Sequence, residues 1–183
     1  ITPTHKIRDI KHDYKRDYSI WSLILLFFTF SVIGWLWEVS LHIASEGFVN
    51  RGVQHGPWLP IYGSGGIVIL VVLKKLRGHP IITFFATVVL CGILEYATSY
   101  FLEISHNGTK WWDYSGYFLN INGRVCAEGL LVFGLGGCVI IYFGAPFFDD
   151  LFMKIPHKIQ IILCISLLEI FSADVIYSHK HPN

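Results

Sequence analysis

The stretch IWSLILLFFTFSVIGWLWEVSLHI, residues 20–43, decides the fold. It runs uninterrupted through Leu, Ile, Phe and Trp and carries a single acid, Glu38. A hydrocarbon core of about 30 Å needs roughly 20 mainly apolar residues in helical form, and this stretch supplies them. Four more segments follow at about 59–76, 80–102, 125–147 and 158–177. The expected architecture is therefore an all-α, polytopic membrane bundle of about five transmembrane helices. The second segment departs most from the pattern. It opens PWLPIYGSGG, so an irregular Gly-rich turn is expected to lead into a helix through Ile67–Leu73.

The whole composition agrees. Of 183 residues, 53% are hydrophobic, 16% aromatic and only 15% charged, against roughly 25% charged in soluble domains. The net charge of +1 points to no nucleic-acid partner. No Walker A, GxGxxG or zinc-type cysteine spacing occurs, so nucleotide-binding chemistry is not encoded. Cys91, Cys126, Cys138 and Cys164 all fall in apolar stretches, where a thiol acts as a small hydrophobe rather than half of a disulfide framework. Residues 1–19 alternate charges of both signs and suit a cytoplasmic surface helix, with 20–183 forming one membrane domain. That charged opening has no signal-peptide pattern, so the first span is expected to be retained.

Lysine and arginine fix the expected orientation. With the N-terminus in the cytoplasm, Lys6, Arg8, Lys11, Lys15, Arg16, Lys74, Lys75, Arg77, Lys154 and Lys158 lie inside. Only Arg51, Lys110, Arg124 and Lys180 lie outside, which the positive-inside rule favours. The long polar loops SEGFVNRGVQHGPWLPIYG (45–63) and HNGTKWWDYSGYFLNINGR (106–124) then share the outer face.

An acid within a span costs about 2.5–3.5 kcal/mol at mid-helix on insertion scales, which makes it a functional candidate by default. Glu38, Glu95, Glu128 and Glu169 are such acids, all expected in the outer half beneath the two loops. His42 and Trp35 share a helix face with Glu38, Thr98 and Ser99 with Glu95, and Arg124 stands four residues before Glu128. The bland alternative is that these are paired charges that fix helix packing. Taken together, four carboxylates against Arg51 and Arg124 leave an excess of acid, to be offset by protonation, a bound cation or a cationic substrate. Glu38, Glu95 and Glu128 are the candidates for holding a divalent cation. In 110–124, KWWDYSGYFLNINGR, an interfacial belt explains Trp111, Trp112 and the tyrosines. It does not explain Asp113, Asn120, Asn122 and Arg124; the stretch is expected to be a lid, with Asp113, Asn122 and Arg124 pointing down towards Glu38, Glu95 and Glu128. Gly63, Gly65 and Gly66 fit either an anion at a helix start or close helix packing, and packing also fits Gly134, Gly136 and Gly137. His55 fits a loop hydrogen bond better than a metal bond. Asn107-Gly108-Thr109 is a glycosylation sequon on the expected outer side.

IGWLWE (33–38), FVNRG with GP and PIYG (48–63), LEYATS (94–99) and WWDYS through NINGRVC (111–126) resemble, in order and spacing, the bacterial family named putative ABC-transporter type IV, or CmpB-like permease. The resemblance covers about 30–140. It implies a small multi-pass protein of the bacterial cytoplasmic membrane with signature residues Glu38, Asn50, Arg51, Gly52, Tyr62, Gly63, Glu95, Trp112, Asp113, Tyr114, Asn122, Gly123 and Arg124. Glu128 and Glu169 rest on the residue reading alone.

Two functions follow. In the first, an outward-facing pocket of Glu38, Asn50, Arg51, Tyr62, Glu95, Trp112, Asp113, Tyr114, Asn122, Arg124 and Glu128 binds a small polar solute, a cation or a lipid headgroup, as part of a permease. Such a chain would need a second copy or a partner subunit to complete a path, besides membrane lipid. In the second, the same cluster is an active site for a lipid or lipid-linked substrate at the outer leaflet. Glu38, Glu95 or Asp113 would then be catalytic, with Arg51 and Arg124 holding phosphate or carboxylate. No HExxH or GxSxG accompanies them.

Overall fold

The computed structural model describes residues 13–46, 54–105, 108, 110 and 112–181. They form helix α1 (Ile20–Glu46), α2 (Pro60–Val72), α3 (Pro80–Ser105), α4 (Ala127–Val139), α5 (Ala145–Phe152) and α6 (His157–Lys180). A π turn, Ile140–Gly144, makes α4 and α5 one continuous rod. The four stretches Ile20–Ile43, Pro80–Ser105, Ala127–Phe152 and His157–Lys180 are long and apolar enough to cross a bilayer. The chain is an all-α, multi-pass membrane protein.

The expected fifth span is different. Helix α2 has 13 residues, about 20 Å of helix, too short for a hydrocarbon core of about 30 Å. Its N-terminus is set by Leu59 in an extended conformation and by Pro60, whose fixed φ suits a first helical turn. The Gly-rich PIYGSGG is helical throughout rather than an irregular turn, because Gly63 and Gly66 face a neighbouring helix. A Cβ on Gly63 would strike Ser31 and Phe27, one on Gly66 would strike Phe30, and one on Gly34 of α1 would strike the Tyr62 ring. The small residues therefore let α1 and α2 lie backbone against backbone. Gly134 and Gly137 do the same for α4 against Phe84, Val88 and Thr87 of α3.

Because α2 begins against the middle of α1, the segment before it must descend into the bundle. Leu59 donates its N–H to the Ser31 carbonyl at 2.9 Å, and Ser31 lies about 16 Å along α1 from Ile20. Leu59 thus lies beside the middle of α1, and α2 fills only the half of the bundle towards Arg77. That half contains the core: Leu26, Phe30, Ile69, Leu70, Leu73, Ile141 and Ala145.

Residues 13–19 are not the surface helix expected; they form a turn and an extended strap, and residues 1–12 lie outside the described part. The strap is pinned by charge. Arg16 bonds Asp150 at 2.5 Å and Asp149 at 3.2 Å. Burial alone would lower its pKa, and these two carboxylates more than offset that and raise it. Arg77, 2% exposed, donates to the carbonyls of Tyr14, Arg16 and Leu70 and lies over the Tyr18 ring. It thereby satisfies a carbonyl near the end of α2 that has no partner further along the helix.

Candidate functional site

The connection between α3 and α4 folds into a cap held by its own polar groups. Tyr114 N–H bonds the Gly123 carbonyl at 2.8 Å, and Ile121 pairs with Val125. Asn120 closes the turn, donating to the Ser115 and Tyr117 carbonyls and accepting from Gly123 N–H at 3.1 Å. Leu119 and Asn122 take positive φ, as does Gly123, where a Cβ would collide with Asp113 and Ser115. The Trp112 indole donates to the Arg124 carbonyl at 3.0 Å. Cys126 then caps α4 by accepting from Gly129 N–H at 3.4 Å.

Among the described residues of the cap, Tyr114 is the one whose hydroxyl reaches an acid of the helical bundle. Its hydroxyl donates to Glu95 Oε1 at 3.3 Å, and burial followed by the Glu95 charge pushes the phenol up to about 12. Opposite, the Tyr62 hydroxyl from the second residue past Pro60 donates to Glu38 Oε1. The two phenols are electrostatic neighbours. Glu38 with Tyr62, and Glu95 with Tyr114, drawn from four separate segments, thus form two carboxyl–hydroxyl pairs beside the start of α2. Glu95 Oε2 is buried and has no hydrogen-bond partner among the described residues. His42 Nδ1 sits 2.9 Å from the Glu38 carbonyl oxygen and 4.0 Å from its carboxylate.

The other expected members go elsewhere. Asp113 does not point down: it is exposed and accepts from Ser115 N–H and hydroxyl, which hold its carboxyl below the usual range, with Lys110 at 3.8 Å. Asn122 donates to the Tyr96 hydroxyl at 2.8 Å. Arg124 turns to α3 rather than to Glu128. It pairs with Glu103 at 2.6 Å, donates to Ser99 at 3.3 Å and lies over the rings of Tyr96 and Tyr100, 5.5 and 5.3 Å away. Glu128 and Glu169 are exposed and belong to neither pair. Asn50, Arg51, Trp111, Asn107 and Thr109 lie outside the described residues, so the first loop's expected cations and the sequon are not located. Among the described residues no group of three or more His, Cys, Asp or Glu is placed to hold a metal, so Glu38, Glu95 and Glu128 do not converge as one ligand set. A hollow of about 430 Å³ between α3 and α4, lined by apolar residues such as Val88, Gly92 and Leu130, holds none of these acids.

Two residues with clear roles escaped the sequence reading. Glu103 is the actual partner of Arg124. Asp174, inside α6, is the anchor of the re-entrant segment: its carboxylate accepts from His55 N–H at 3.2 Å, Gly56 N–H at 3.0 Å and the Trp58 indole at 2.8 Å. Ser178 adds a bond at 3.3 Å and meets His55 Nδ1 at 2.9 Å. Trp58 is buried edge-on against Phe28 and Phe171. An acid in a span with a serine four residues on was the available signal.

No curated protein and no solved structure matches the chain. The model of the family described as Putative ABC-transporter type IV matches residues 25–179, most of the length and every helix in the bundle, and the chain belongs to that family.

Proposed function

We propose that this protein is a permease-type component of a transport system in the bacterial cytoplasmic membrane, with its N-terminus inside. Its Glu38, Tyr62, Tyr114 and Glu95 receive a cationic group at the outer face, carried on a free solute or on a lipid headgroup. The observation that carries the reading is that two membrane acids each accept from a tyrosine hydroxyl, Glu38 from Tyr62 and Glu95 from Tyr114, with Glu95 Oε2 left without a partner among the described residues. A buried carboxylate oxygen in that condition favours a proton or a bound cation, and the tyrosine rings suit an organic ammonium ion. A half-length helix preceded by a re-entrant segment gives further support, since discontinuous helices of this kind line the sites of transporters. Below the site, Ser31, Phe27 and Phe30 close α1 on α2, so passage needs movement or a further subunit. The short connections at the Arg77 end leave that subunit little to grip except the charged strap.

The test is accumulation of labelled tetramethylammonium in sealed vesicles carrying the protein. Uptake that is abolished in Glu95→Gln supports transport. Uptake unchanged in Glu38→Gln and Glu95→Gln refutes the site. Competition by short-chain phosphatidylcholine with no uptake of the free ion assigns the cationic group to a lipid headgroup, and turnover of that lipid in detergent would make the site enzymatic instead.

A further inference from the structure

Where α1 begins and α2 ends, a hollow of about 180 Å³ is lined by Asp17, Tyr18, Leu23, Val71, Lys74 and Arg77, among others. Two of these residues carry buried donors that find no acceptor among the described residues: the Arg77 Nε–H and the Tyr18 hydroxyl. Arg77 gives its other nitrogens to the carbonyls of Tyr14, Arg16 and Leu70, all neutral partners. Lys74 pairs with Asp17 at 2.5 Å, and these two side chains are 54% and 73% exposed. Asp17 therefore answers one of the hollow's two cations, the exposed one, and leaves the buried guanidinium without a counter-charge.

Water accepts from such donors but leaves the charge unanswered, and a buried cation with neutral partners alone is costly. We propose that this hollow binds a phosphate group, carried on an anionic phospholipid or free in solution. Phosphate oxygens accept from guanidinium, phenol and ammonium alike, and arginine and lysine are the side chains that hold them most often. Asp17 competes with the phosphate for Lys74, and its exposure lets it turn to water instead. The position suits a lipid. The hollow lies beside Ile20 and Val72, where the apolar helices end, and Leu23 and the exposed Val71 line its apolar side. Headgroup phosphates occupy that depth, and basic pockets between helix ends bind them. The site is at the opposite end of α2 from Tyr62 and does not depend on the acids there.

Native mass spectrometry of the detergent-purified chain tests this, with dihexanoylphosphatidylglycerol and inorganic phosphate as probes. One bound lipid per chain is expected. Its binding weakens about tenfold in Tyr18→Phe and at least about threefold in Lys74→Gln, and it tightens at least about threefold in Asp17→Asn, which removes the competitor. These variants keep the fold, since Lys74 and Asp17 meet at the surface and the Tyr18 hydroxyl has no partner to lose. A lipid that inorganic phosphate does not displace assigns the headgroup as the source. Displacement by phosphate, with the same order among the variants, assigns the free anion, and either result upholds the site. Binding of neither probe, equal binding of uncharged dihexanoylglycerol, or lipid binding indifferent to Tyr18→Phe and Asp17→Asn would overturn the proposal.

Discussion

Replacing Arg124 by alanine opens the cap and unmasks Cys126, two residues on. Arg124 is 9% exposed, and its removal leaves Glu103, one quarter exposed at the side chain, without its cation. Breaking a buried pair costs about 3–5 kcal/mol, which the exposure of Glu103 trims to about 2–3. Loss of contact with the rings of Tyr96 and Tyr100 adds about 0.5–1 kcal/mol each. The total is about 3–5 kcal/mol of local stability. Cys126 is buried and caps α4, so its maleimide labelling, with the other three cysteines replaced, reports that opening. Labelling is expected to rise by more than about a hundredfold in Arg124→Ala and by about tenfold in Arg124→Lys, which keeps charge but loses the flat guanidinium. The paired change Arg124→Leu with Glu103→Leu should recover most of the protection. A rise below about threefold, or single effects of Arg124 and Glu103 that simply multiply in the double variant, would refute the pairing as the cap's anchor.

Other expectations follow from the same contacts. Asp174→Ala strands the N–H groups of His55 and Gly56 and the Trp58 indole, and hydrogen exchange over residues 55–58 should quicken by at least about tenfold. Gly63→Leu forces α1 from α2 and should cost about 1–3 kcal/mol or more in detergent unfolding, whereas Gly65→Ala, which meets nothing, should be neutral or slightly stabilising. The Tyr114 phenol, raised by burial to about 12, favours the folded state while it is protonated. That contribution is whole below about pH 10 and lost as pH rises through about 12, so Tyr114→Phe should remove one late-titrating phenol from the ultraviolet titration.

The spans were legible because a bilayer imposes a length and a composition that four stretches satisfy without tertiary help. The shape of 59–76 was not, since PIYGSGG reads as a turn until Phe27, Phe30 and Ser31 are seen against its glycines. Where residues 55–59 sit is likewise a tertiary fact: Asp174 receives the amides of His55 and Gly56, and the Ser31 carbonyl receives that of Leu59. Depth along a helix also says nothing about direction around it. Glu38 and Glu95 turn inward to tyrosines, while Glu128 and Glu169, at comparable expected depth, turn outward. The Arg124 spacing to Glu128 suggested a partner, yet Arg124 precedes α4 and swings to α3, where Glu103 sits one residue past the expected end of the span. The family resemblance points to Tyr62 and Tyr114, but that each bonds a membrane acid emerges only from the packing of α2 and the cap.

The measurement that bears most directly on the account is tetramethylammonium binding to the purified protein in a double-mutant cycle of Glu38→Gln and Glu95→Gln. One shared site predicts that each single change weakens binding on the order of tenfold and that the double variant is little worse than either alone. Independent, multiplying losses, or binding untouched by both, would contradict it.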